Sequence, residues 1–324
     1  MKRRSFLSLS LVGLAYSLPL PAAIGQGRAT TIKLVIADQS ELVSNLLQAS
    51  GEREKLKLDL PNFVGGPAIY EAIRAGALDL AYVGDTPPIQ ARAAGTLLPI
   101  VASFTRERAQ YVLTSRPGLV INKLAELKGK KVSYVEGSGR QVYLIEALNR
   151  AGLSLSDVEL VRLRVADLSD AVRSGAVDVA VLQEPHVTRL TKQAGASPVL
   201  DPQERHILPS TSYFYARPDV LADPAKAAAI GQFLAAFTRA AIWSNEHKAE
   251  WGQDYYVKFQ RISQDDTRTI LASQSPLILQ TSAEAIAHHQ KLIDILYQAG
   301  AIKERFDARQ SFVDTYDPVI TASR

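Results

Sequence analysis

The chain has 324 residues, 47% of them hydrophobic and 22% charged. These are the proportions of an ordinary soluble globule, and the length is enough for two α/β domains. The formal charge of +4 rests on Lys2, Arg3 and Arg4: without those three, the 37 basic residues fall to 34 against 33 acidic ones, which gives no support for nucleic-acid binding. With no cysteine, disulfides, thiolate metal sites and a cysteine nucleophile are all excluded.

Taken in chain order, Met1-Lys-Arg-Arg-Ser-Phe-Leu precedes an apolar stretch from Leu7 to Ala23. This pattern predicts a removable export signal over residues 1–25. Arg3-Arg4 followed by Phe6-Leu7 resembles the twin-arginine export signal. The apolar stretch is short and interrupted by Gly13, Ser17 and Pro19, which argues against a permanent membrane anchor. A protein so exported, with neither anchor nor lipid-bearing cysteine, is expected free in a periplasm.

Thr31 to Ala37 then reads as a strand, leading through Asp38-Gln39-Ser40 into a helix that ends near Gly51. Next comes a block, Ala72-Ile-Arg-Ala-Gly-Ala-Leu-Asp-Leu-Ala-Tyr-Val-Gly-Asp-Thr-Pro87. It recurs in register as Ala171-Val-Arg-Ser-Gly-Ala-Val-Asp-Val-Ala-Val-Leu-Gln-Glu-Pro-His186. Each copy reads as the end of a helix, a glycine stop at Gly76 or Gly175, and a short apolar run of the kind a strand covered on both faces shows. The flanks repeat too: Lys131 to Val135 leads through Glu136-Gly-Ser-Gly-Arg140 into a helix ending near Gly152. Duplication of this length predicts two lobes of like construction with a cleft between them. The loops beyond the strand ends are where a ligand binds in such sheets.

Ala109 to Ser115 and Ser212 to Ala216 read as strands, each followed by Arg-Pro, and mark the two crossings between lobes. The expected first lobe is residues 30–112 and 214–324, and the second is 113–213. Asp223-Pro224 is an N-cap and first-turn pair for a helix through Trp243, and a further helix is expected from Ser282 to Ala299. The C-terminal part is expected to return to the first lobe.

With these elements placed, the chain resembles the type II periplasmic solute-binding proteins of ABC importers. Within them it is most similar to the aliphatic sulfonate, taurine and nitrate binders. The residues that carry this are Gly66-Pro67, Ala72-Ile-Arg-Ala-Gly-Ala-Leu-Asp79, Gly84-Asp-Thr-Pro-Pro-Ile89, Leu124-Ala-Glu-Leu-Lys-Gly-Lys-Lys-Val132 and Ser212-Tyr-Phe-Tyr-Ala216. The resemblance implies a two-lobed α/β fold whose ligand cleft lies between two open mixed sheets flanked by helices. It also implies a small anionic organosulfur ligand, delivery to an inner-membrane permease, a monomer, and no cofactor. Two blocks depart from the sulfonate branch. In Glu136-Gly-Ser-Gly-Arg140, Arg140 stands where small or polar residues are common. The second-lobe loop reads Gln183-Glu-Pro-His186 where that branch carries Trp-Asp-Pro-Tyr, which leaves the ligand open.

Candidate ligand contacts follow from the loop positions. Ser138-Gly139-Arg140 opens a helix, where free N–H groups favour an anion. Arg140 either grips the anionic head with a forked pair of bonds or is solvated. Asp85 and Thr86 open the helix after the first copy of the repeat, and Asp85 is either a ligand contact or a cap acceptor. Gln39 and Ser40 sit beyond the first strand. Glu184 would meet an ammonium group, pair with Arg140, or bond to amides of its own loop. Of Tyr213 and Phe214, alternation lets only one face the cleft, and Tyr213 is the candidate. Nucleotide-binding, metallopeptidase and serine-hydrolase motifs are missing. His288-His289 reads as part of a helix face, with no metal expected. A pyrimidine-precursor synthase on the same fold is the enzyme alternative. That family relies on a cysteine-rich motif, which this chain lacks.

Overall fold

The computed structural model describes residues 32–324; the expected export signal lies outside them. In chain order the strands are β1 (Leu34–Gln39), β2 (Leu58–Asp59), β3 (Asn62–Phe63), β4 (Leu80–Gly84), β5 (Ile100–Arg106), β6 (Tyr111–Ser115), β7 (Lys131–Tyr134), β8 (Glu159–Arg162), β9 (Val179–Gln183), β10 (Ser197–Pro198), β11 (Ser210–Ala216) and β12 (Ile278–Gln280). They form two open mixed sheets. One has the order β12-β5-β11-β4-β1-β2, with β3 also paired to β1; the other has the order β10-β6-β9-β7-β8.

The duplication read in the sequence extends to the sheet order. Strand β4 lies parallel to β1 and antiparallel to β11, as β9 lies parallel to β7 and antiparallel to β6. The repeated aspartates do the same work in both copies. Asp79 accepts a bond from the Val35 N–H at the start of β1 (3.0 Å), and Asp178 accepts one from the Lys131 N–H at the start of β7 (3.0 Å). The repeated glycines stop the preceding helices with left-handed φ of 80° and 74°. At Gly76 a Cβ would also stand 3.2 Å from the tip of Arg217, whereas at Gly175 Arg116 stands at an ordinary contact distance of 3.5 Å. These two arginines open the Arg-Pro turns that follow β11 and β6.

The crossings lie a few residues from the expected boundaries. Tyr111 and Val112 already belong to the second sheet, and the whole of Ser210–Ala216 belongs to the first. The first sheet is covered on one face by the helix Pro224–Glu246, which buries Ile230, Phe233, Leu234 and Phe237 against Phe104 and Phe214. Asp223 caps this helix by accepting from the N–H groups of Ala225 (2.9 Å) and Lys226 (3.2 Å). The C-terminal helix Ser282–Gln298 does not pack on the first lobe alone. Its Leu292, Ile293 and Leu296 join the core of the second lobe with Val142, Ile145 and Leu148. It is an amphipathic brace across the two lobes, and a sequence pattern shows its apolar stripe without showing which partner covers it.

Candidate functional site: a cleft between the lobes

A cleft of about 960 Å³ opens between the lobes. Its floor is made by the carboxyl ends of strands from both sheets: Gln39 and Ser40 beyond β1, Gly84 at the end of β4, Ser138 to Arg140 beyond β7, and Gln183 and Glu184 at the end of β9. This is the position where open α/β sheets bind ligands.

The most polarised element is the start of the helix Gly139–Arg150. Ser138 caps it with extended backbone. Its hydroxyl donates to the Val135 carbonyl (2.7 Å) and accepts from the Arg140 N–H (3.3 Å). Gly139 admits no side chain, because a Cβ there would stand 2.8 Å from the Tyr111 hydroxyl and 3.2 Å from Asp85 Oδ1. The Arg140 side chain follows, 8% exposed, with its guanidinium carbon 5.1 Å from the centroid of the Tyr111 ring. Its buried Nε has no hydrogen-bond partner, and no carboxylate pairs with it among the described residues. Burial pushes its pKa down from the usual arginine value, yet a guanidinium keeps its proton in proteins. A buried, unpaired positive charge is costly, and an anion in the cleft would relieve that cost.

The other cleft arginines are engaged or solvated. Arg164 pairs with Asp167 (2.8 and 3.2 Å), and the Arg106 guanidinium donates to the Ser275 carbonyl. Arg108 reaches the Ala272 carbonyl at 3.5 Å, and Arg189 is exposed. Against these five arginines, Glu184 is the one carboxylate that lines the cleft among the described residues. Glu184 bonds to the helix that follows it. Its oxygens accept from the N–H and the hydroxyl of Thr188, both at 3.0 Å.

Six of the residues expected from sequence line the cleft together: Gln39, Ser40, Ser138, Gly139, Arg140 and Glu184. Three do not. Asp85 and Thr86 are buried behind Gly139. The Thr86 hydroxyl donates to Asp85 (3.0 Å), and Asp85 meets His288 Nε2 at 3.3 Å. Tyr213 points the other way, fully buried, with its hydroxyl 3.1 Å from His289 Nδ1 and its ring edge-on to Phe312. Alternation is the reason: Ser212 takes the cleft-facing position, Phe214 takes the same side deeper in the core, and Tyr213 takes the opposite face.

Sequence reasoning missed the aromatic wall. Trp251, Tyr255, Tyr256 and Phe259 line the cleft from a helical turn and the π-helical segment Gly252–Phe259, and Phe63, Tyr82, Phe104 and Tyr111 line it from elsewhere. The signal was present as a cluster of rings from Trp251 to Phe259 in a chain that is only 7% aromatic. Asp38 was also missed. Fully buried, it accepts from the N–H groups of Gln39 (2.8 Å), Val43 (3.0 Å) and Ser44 (2.8 Å), which shapes the Gln39-Ser40 loop and caps the helix Leu42–Ala49. Burial outweighs these three donors and pushes its pKa up to about 6.

Two pseudo-symmetric α/β lobes with a charged cleft at their strand ends define a periplasmic-binding-protein fold, as in the solved structures this chain is similar to. Residues 52–250 match the NMT1/THI5-like family, and the chain belongs to that family. An Escherichia coli (strain K12) protein provisionally named an aliphatic sulfonates-binding protein is 27% identical over 318 residues, which cover 95% of this chain and 96% of that one. The crystal structure of the periplasmic aliphatic sulphonate binding protein SsuA from Escherichia coli superposes with a TM-score of 0.73 at 25% identity. It covers 86% of this chain and 91% of that one. The alkanesulfonate-binding protein SsuA from Xanthomonas axonopodis pv. citri bound to MOPS superposes with a TM-score of 0.76 at 22% identity, covering 88% and 99%.

Proposed function

We propose that this protein is the solute-capturing component of an ABC importer. It holds a small organosulfur anion, an aliphatic sulfonate or a relative of one, and delivers it to a membrane permease. The observation that carries this reading is Arg140. Its buried, unpaired guanidinium stands at the capped start of a helix, inside a cleft between two lobes. An oxyanion head there would accept from the guanidinium in a charge-assisted bond and sit near the positive end of the helix. The lobes would close on the ligand by bending at the two crossings. The relatives named for sulfonate binding support the same choice of anion.

Capture without chemistry is the accompanying reading. The chain has no cysteine, and no group of three potential metal ligands occurs among the described residues. No helix of those residues is long and apolar enough to cross a membrane. A monomer released into the periplasm by the twin-arginine-like signal is part of the same reading. A second reading, an amino-sulfonate such as taurine, is favoured by Glu184, the one carboxylate lining the cleft among the described residues, whose oxygens keep lone pairs beyond the two bonds from Thr188.

Isothermal titration with ethanesulfonate, taurine, sulfate and nitrate tests both readings. A sulfonate is expected to bind, and Arg140→Gln to weaken that binding roughly tenfold to a hundredfold or more. Failure to bind any of the four, and octane-1-sulfonate and naphthalene-2-sulfonate as well, overturns the proposal. A marked preference for taurine over ethanesulfonate selects the second reading.

A further inference from the structure

We propose that the ligand carries a flat aromatic ring system behind its anionic head, making it an arenesulfonate rather than a short alkanesulfonate. This rests on the reading that Arg140 holds a sulfonate. Three observations about the cleft carry it. The first is size. A cavity of about 960 Å³ lies at the upper end of the range of roughly 300–1,000 Å³ that fits drug-sized ligands. A sulfonate on two carbons would leave most of it to water.

The second is the shape of the wall. Trp251, Tyr255 and Phe259 stand one turn apart and stack as a column. The Trp251 and Tyr255 rings are 4.6 Å apart at an angle of 8°, and the Tyr255 and Phe259 rings are 5.8 Å apart at 24°. Tyr82 and Phe104 line the same cleft from the first sheet, 5.1 Å apart. Tyr255 and Phe259 belong to a π-helical segment, a geometry that is rare and frequent at functional sites.

The third is that the polar ends of these rings are already committed. The Tyr255 hydroxyl donates to the Ser40 carbonyl (3.0 Å), and the Tyr256 hydroxyl accepts from Gln274 (2.7 Å). The rings are therefore fixed in place. With the faces of Tyr255 taken by Trp251 and Phe259, the ring edges and the exposed Phe259 are what remain to meet a ligand. At the mouth the wall ends in two apolar side chains left in solvent, Val64 at 83% exposure and Phe259 at 38%. An alkyl chain would gain only burial against such a wall. A flat ring gains the additional attraction of offset and edge-on aromatic pairs.

Isothermal titration of the protein with ethanesulfonate, octane-1-sulfonate and naphthalene-2-sulfonate tests this. Naphthalene-2-sulfonate is expected to bind tightest, roughly tenfold or more ahead of octane-1-sulfonate, as one or two good ring pairs would give. If octane-1-sulfonate or ethanesulfonate binds as tightly, the ring inference is overturned while the sulfonate reading stands. If no sulfonate binds, the underlying reading is overturned. Tyr255→Leu and Phe259→Leu keep apolar bulk but remove a ring, and Phe259 is exposed enough for the second variant to fold. The ratio of naphthalene to octane affinity is expected to fall several-fold. An unchanged ratio in the folded variants overturns the inference.

Discussion

The Arg140 guanidinium lies over the ring of Tyr111, 5.1 Å from its centroid, and the Tyr111 hydroxyl fills the space where a side chain on Gly139 would stand. The cation is thus supported by a π face and by the absence of a neighbouring side chain, but not by any acid. A site built this way trades stability of the empty protein for affinity.

That trade predicts opposite effects from one substitution. Arg140→Met should raise the melting temperature of the unliganded protein, worth about 1–2 kcal/mol, because it removes a buried charge with no partner. The same variant should lose roughly tenfold to a hundredfold or more in sulfonate affinity, since a hydrogen bond to a charged group contributes ~1.5–3 kcal/mol. Thermal melts and titration calorimetry on the same samples check the pair of effects.

Gly139→Ala tests the spacing beneath the arginine. Its Cβ would meet the Tyr111 hydroxyl at 2.8 Å and the ring at 3.0 Å, so the ring must move from under Arg140. The expected outcome is a loss of sulfonate affinity with helix content intact by circular dichroism. The backbone of Gly139 has no positive φ, so the effect would come from the lost space.

Lys192, on the helix His186–Ala194 of the second lobe, reaches Asp266 and, at 3.6 Å, Asp265 on the helix Gln264–Ser273 of the first. These contacts link the two lobes. All three side chains are partly or largely exposed, so the link contributes no more than about 1 kcal/mol and weakens with salt. Lys192→Ala should lower ligand affinity a few-fold at low ionic strength and enlarge the radius of gyration of the unliganded protein in solution scattering. Both differences should shrink in high salt.

His289 predicts a pH dependence. It is fully buried between Tyr213 and Phe312. Burial first, then the nearby charges of His288 and Arg92, push its pKa down to about 3 from an ordinary value of 6.5. The folded state therefore disfavours the proton. The stability from this group is fully present above about 6.5 and is lost as pH falls through about 3. Asp38 acts in the opposite sense. Its raised pKa of about 6 means that its contribution is fully present below its ordinary value of 3.8 and lost as pH rises through about 6. The two oppose each other between pH 4 and 6, so the wild-type profile alone hides both. Denaturant titrations of wild type against His289→Gln should show the wild-type advantage at pH 7 shrinking by a few kcal/mol by pH 4.

Local rules made a large part of the molecule legible from sequence. The helix stops at Gly76 and Gly175, the Ser138 and Asp223 caps, and the apolar strands of the repeat depend on residues within one turn or one pleat of each other. The repeat also pointed to two lobes, because the same local preferences written twice build the same unit twice. Tertiary structure decided three further matters. Tyr213 turned to the core face of β11, because Ser212 took the cleft. The C-terminal helix Ser282–Gln298 braced both lobes, since an apolar stripe does not name its partner. Arg140 was left without an acid, because Asp85 meets His288 and Glu184 is held by Thr188. Whether a charge is paired, and which rings share a wall, depends on what elements far apart in the chain bring within a few ångströms, and no local pattern encodes that.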